Sequence, residues 1–249
     1  MCDRFVFVKP AVKLSYMLPT GLRQMPQRAH DIYASAPMRS LLADETMAYM
    51  PDVRRCAGSR ALLLSAAPDD QPPNPPYLGQ WVTLHLAEGR LRGDVCANAE
   101  EPLPFMDETF DLILLRHALE LPPLSLDEVV RVLAPGGMLV LTGVNPLSGW
   151  TPWWLWRTRG SATQARSPIQ LAARLRRAEV QVERVQRVGQ VLPLSSTASG
   201  GAPGWLGGGY VLIARKRGPA NAPTRLRPKP VTAPVRAGLA PGARRSSVS

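Results

Sequence analysis

Between residues 111 and 144 the chain permits essentially one arrangement. Asp111 leads an apolar run, Leu112 to Leu115, the mark of a strand buried on both faces. Ser125 then precedes Leu126, Val129, Val130 and Leu133, which fall at i, i+3, i+4 and i+7 on one helical face. Ser125 and Glu128 have the spacing of a capping box. Pro135-Gly136-Gly137 is a helix stop, and Met138 to Val144 follows at once as a second buried strand. Strand, helix and strand with short links imply a parallel pair and its crossover.

Around this unit the pattern is less regular. Residues 30–50 read as a helix started or interrupted at Pro37 and ended by Pro51. Residues 60–65 and 81–86 read as strands. The stretch between them carries five prolines in 66–77, which forbid a helix and force an extended loop. Glu88-Gly89 turns the second strand. Residues 167–180 read as a basic amphipathic helix with Pro168 in its first turn. Residues 180–188 and 210–217 read as strands; about 20 residues without helical period join them, so an antiparallel pair is expected.

The net charge of +11 is unevenly placed. Residues 215–249 hold nine of the 30 Lys/Arg and no acid, so the rest of the chain is close to neutral. Any polyanion binding belongs to that tail, weakly and with salt sensitivity. The tail has no stacking aromatic, so sequence-specific nucleic-acid recognition is not expected. Three organising segments result: an extended leader over 1–28, a domain over 29–217 and a basic proline-rich tail over 218–249 that cannot fold by itself. Three scattered cysteines and three scattered histidines argue against a disulfide scaffold or a metal site. No apolar run reaches membrane-spanning length and the N-terminus lacks a signal-peptide core, so a cytoplasmic protein is expected, with Met17 and Met25 as further candidate starts.

The run EEPLPFMDETFDLILLRHALE (100–120), the helix end RVLAPGG (131–137), the strand MLVLTGVNP (138–146) and the closing strand YVLIARKR (210–217) resemble the class I S-adenosylmethionine-dependent methyltransferases, type 11 methyltransferase domain. The resemblance spans roughly 55–217. It implies an α/β, Rossmann-like three-layer sandwich whose seven-stranded, mostly parallel sheet ends in an antiparallel strand. The strands would lie near 60–65, 81–86, 93–97, 111–115, 138–144, 180–188 and 210–217. It also implies S-adenosyl-L-methionine as cofactor and a small-molecule acceptor. Carried onto this sequence, the cofactor contacts would be Ser65, Ala66, Asp69 (or Asp70), Glu88, Asn98, Ala99 and Arg116. Position rather than resemblance points to His117, which follows the 111–115 strand at the carboxyl edge of the sheet, as the residue to take a proton from the acceptor, and to Asn145, at the end of the next strand, as an acceptor contact; Trp150 and Trp153 are expected beside the acceptor.

The departure from the family pattern is local. Its first strand leads into a glycine-rich turn that lets backbone approach the cofactor. Here that turn reads SAAPDDQPPNPP (65–76), with no glycine. The favoured function is still transfer of a methyl group from S-adenosyl-L-methionine to a small-molecule acceptor; the alternative is a non-catalytic methyltransferase-like module that works through its basic tail or the tryptophan-rich segment 150–156. The tryptophans of 150–156 suit an apolar substrate lid, a membrane-surface foot, or packing under a long loop.

Overall fold

The computed structural model describes residues 32–159, 163–193 and 206–218. The leader 1–28 and all of the tail beyond Gly218 lie outside the described residues. Helix α1 (Ala36–Val53) precedes strands β1 (Gly58–Ser65), β2 (Leu78–Ala87), β3 (Arg90–Gly93), β4 (Ala97–Asn98) and β5 (Phe110–Arg116). Then come α2 (Leu126–Val132), β6 (Leu133–Val144), α3 (Trp150–Arg157), α4 (Pro168–Arg177), β7 (Val180–Val188) and β8 (Gly209–Lys216).

The strands form one sheet in the order β4-β3-β2-β1-β5-β6-β8-β7. Its centre is parallel: β1 with β2, β1 with β5, β5 with β6. The last strand, β8, runs antiparallel to both β6 and β7, as the short connection required. The sheet is an eight-stranded α/β layer rather than the expected seven. The extra strand arises where one was expected at 93–97. Glu88 and Gly89 both take positive φ, 52° and 73°. That is the tight-hairpin geometry, and it sends β3 back antiparallel along β2 with β4 beside it.

Alternation along β1 divides the core. Leu62 and Leu64 face one layer, with α2 and α4 packed on it. Ala61 and Leu63 face the other, covered by α1 and by Trp150 and Trp154 of α3. Each buried leucine contributes about 1.5–3 kcal/mol of transfer free energy. Asp111, the acid that leads β5, accepts hydrogen bonds from the backbone N–H of Ser59 (2.7 Å) and Arg60 (3.2 Å), pinning the start of β1 to β5.

Three local expectations change. Helix α1 runs past Pro51 to Val53; Pro51 lies in the last turn, and Arg54 N–H still reaches the Met50 carbonyl at 2.9 Å. Helix α2 ends at Val132, before the Pro-Gly-Gly triplet, because buried Leu133 extends to pair with Phe110. The triplet instead forms an irregularity in β6, with Gly136 at φ 79°. Ser125 does cap α2 through Asp127 N–H, but Glu128 accepts from Leu103 N–H at 3.1 Å and pairs with Arg131 instead of closing a capping box.

Candidate functional site: the tips of β1 and β5

In an open α/β sheet ligands bind at the carboxyl ends of the strands where the winding direction reverses. Here the chain leaves β1 towards β2 and leaves β5 towards β6 on the other side, so the reversal lies between β1 and β5. The tips of these strands stay joined. Ser65 and His117 form a bridge, and Ala66 N–H donates to the Arg116 carbonyl at 2.9 Å. Asp70, from the proline-rich loop, folds back over them. It accepts from Ser65 Oγ at 2.8 Å and forms an ion pair with the Arg116 guanidinium. Arg116 Nη2 donates to the Leu42 carbonyl (3.0 Å) and Thr46 Oγ1 (3.2 Å) of α1. Arg116 is 6% exposed. Burial outweighs Arg116 at Asp70 and raises its carboxyl pKa.

Beneath this latch lies a second charged group. His117 has a left-handed backbone, φ 55°, and is 1% exposed. Its Nε2 meets both Glu45 carboxylate oxygens at 3.1 and 3.2 Å, and its Nδ1 meets Glu120 Oε2 at 3.0 Å. Glu45 and Glu120 are both fully buried. Glu120 Oε1 also accepts from Val144 N–H, and the Tyr33 ring sits 5.6 Å from the imidazole. Burial alone would keep the ring neutral, but the two carboxylates outweigh it and push His117 up to about 10. As an imidazolium, both ring nitrogens donate and no lone pair is free to take a proton. This group is therefore a buried carboxylate–imidazolium–carboxylate tie between α1, the β5 tip and β6.

The remaining sequence-derived candidates scatter. Asp69 is exposed, and Glu88 is exposed in the β2–β3 turn. Asn98 is exposed on edge strand β4 and, with Arg90, Arg92 and Cys96, lines a cavity of about 750 Å³ beside that hairpin. Ala99 is buried, its N–H on the Gly89 carbonyl at 2.9 Å. Asn145 is buried and donates from Nδ2 to the Gly207 carbonyl at 2.9 Å. Trp150 is buried with its indole N–H on the Gln190 carbonyl at 2.8 Å, and half-buried Trp153 stacks edge-on against it. Of the candidates, Ser65, Ala66, Arg116 and His117 are brought together. Glu45, Thr46 and Glu120 complete the group and were missed. One signal was present: Leu41, Glu45 and Tyr49 fall at i, i+4 and i+8, so an acid occupies a core position of α1.

The residues at these tips do not fit a nucleoside sulfonium. The turn after β1 has no glycine, and residues 66–77 include no helix whose N-terminal N–H groups would face a ligand. Ser65 Oγ is committed to Asp70 and Ala67 N–H. No group of three or more metal-ligating side chains occurs among the described residues. No helix among them is long and apolar enough to cross a membrane.

Comparison with known proteins agrees with the resemblance in the sequence. Residues 82–141, from β2 into β6, match the family model described as "Methyltransferase domain". No curated protein matches the chain. Among solved structures, a S-adenosylmethionine-dependent methyltransferase from Thermotoga maritima shares 16% identity, with a TM-score of 0.49, covering 75% of this chain and 94% of that one. One from Archaeoglobus fulgidus shares 14% with a TM-score of 0.46, covering 69% and 92%. One from Mesorhizobium loti shares 14% with a TM-score of 0.41, covering 74% and 100%. The segment from β2 into β6 is thus similar to a methyltransferase domain.

Proposed function

We propose that this protein is a methyltransferase-like module whose donor crevice is closed, and that it acts by binding rather than by methyl transfer. One observation carries the reading: Asp70 occupies Arg116 and Ser65 at the switch point, over a buried Glu45–His117–Glu120 tie. Methyl transfer from a sulfonium needs the donor and nucleophile held in line, ~3 Å apart. The latch and α1 stand where the donor would have to be held. His117, charged on both sides, is not available as a base.

The second reading, a small-molecule methyltransferase, is favoured by the family match across 82–141. In that reading Asp70 swings away from Arg116 to admit the cofactor. A thermal-shift titration separates the two, because a ligand that binds only the native state raises Tm by mass action. The expected result is no shift with millimolar S-adenosylmethionine or S-adenosylhomocysteine. A shift of several degrees with the unaltered protein would overturn the closed-crevice reading. A shift seen only in D70A would assign the closure to the latch alone.

A further inference from the structure

Helix α3 is apolar on both sides. Trp150 and Trp154 are buried against the sheet. On the opposite side Pro152, Leu155 and Trp156 fall at i, i+3 and i+4, and all three are exposed. Leu155 is 48% and Trp156 57% exposed. A surface helix that folds by burying one apolar stripe has no folding reason to carry a second. The corner at its N-terminal end continues the same character, with Leu147 (70% exposed) and Leu192 (50%). The two loops are joined there: Gly149 abuts the Leu192 side chain, and the Trp150 indole binds the Gln190 carbonyl. Large apolar groups exposed along one helix face mark a contact surface.

The charge around the stripe selects the partner. From Asn145 to Arg166 there is no acid and there are three arginines. The Arg157 guanidinium lies 5.8 Å from the Trp153 ring centroid and 5.9 Å from that of Trp156, so a cation sits at the level of the protruding rings. Tryptophan with arginine at its edge suits a lipid headgroup boundary, where the ring body is apolar and the surroundings wet and anionic. The basic tail adds positive charge to the same chain. We propose that the outer stripe of α3, centred on Leu155 and Trp156, docks this protein on an anionic membrane surface.

The test uses the full chain and vesicles of phosphatidylglycerol and phosphatidylcholine with brominated acyl chains, which quench tryptophans that enter the bilayer. The expected result is co-sedimentation accompanied by quenching. L155S/W156S, which changes only exposed positions, should weaken vesicle affinity about tenfold or more and abolish the quenching. W156L should keep most of the affinity while losing most of the quenching. Pure phosphatidylcholine vesicles should retain far less protein. Binding without quenching would assign the attraction to the basic tail and overturn the proposal. So would the absence of binding, or concentration-dependent dimerisation that L155S/W156S removes, which would make the stripe a self-association face.

Discussion

Two parallel pairs in this sheet are connected by opposite means. Between β5 and β6 stands helix α2. Between β1 and β2 stands a loop of residues 66–77 with five prolines and no helix. Both pairs keep long parallel ladders, Gly58 to Ser65 against Leu78 to His85 and Leu112 to Arg116 against Met138 to Thr142. The ladder therefore does not need a crossover helix. A ligand site does, because the helix N-terminus after the first strand supplies unpaired N–H groups. Where that helix is missing, the loop turns a carboxylate inward and the strand tips neutralise one another.

That contrast can be broken experimentally, most severely at the closed end. H117A leaves Glu45 and Glu120 facing each other in the interior, and a loss of about 3–5 kcal/mol is expected in urea denaturation. A loss below about 1 kcal/mol would mean the carboxylates do not depend on the imidazolium. Stability should also depend on pH in a stated direction. The folded state holds His117 at about 10 against 6.5 for the free side chain, so it binds the extra proton. The contribution is complete below 6.5 and is lost as pH rises towards 10, amounting to several kcal/mol. Denaturation midpoints at pH 6.5, 8 and 9.5 should fall in that order, and H117Q should flatten the series. D70A leaves Arg116 buried without its carboxylate and should cost about 3 kcal/mol. On the helical side, S125A removes only the cap on α2 and should cost about 1 kcal/mol. If S125A proved as damaging as D70A, the helical connection would matter to the fold as much as the latched loop.

Much of the fold was legible because it rests on local period. The apolar runs of β5 and β6, the i, i+3, i+4 face of α2 and the basic stripe of α4 each lie within a few residues. The β2–β3 hairpin was signalled by Glu88-Gly89, yet the resemblance drew 93–97 towards a single strand. The site was legible only in part. Arg116 and His117 follow from the rule that ligands sit at strand tips, and Ser65 and Ala66 from the resemblance. Their partners do not, because Glu45 lies 72 residues from His117 and Asp70 lies 46 from Arg116. The Trp-rich segment was split: Trp150 and Trp154 pack inward, while Trp156 turns out.

By itself the sequence determined which segments become strand or helix and which face of each is apolar, since 2-residue and 3.6-residue periods are properties of neighbouring residues. It also barred a glycine cradle after β1, because no glycine stands in residues 65–76. Only the tertiary structure decided that Asp70 meets Arg116 and Ser65 at this end of the sheet, above the Glu45–His117–Glu120 group. Whether a carboxylate is solvated, catalytic or locked to a histidine depends on which distant side chains reach it and how much water remains, and no local pattern encodes that.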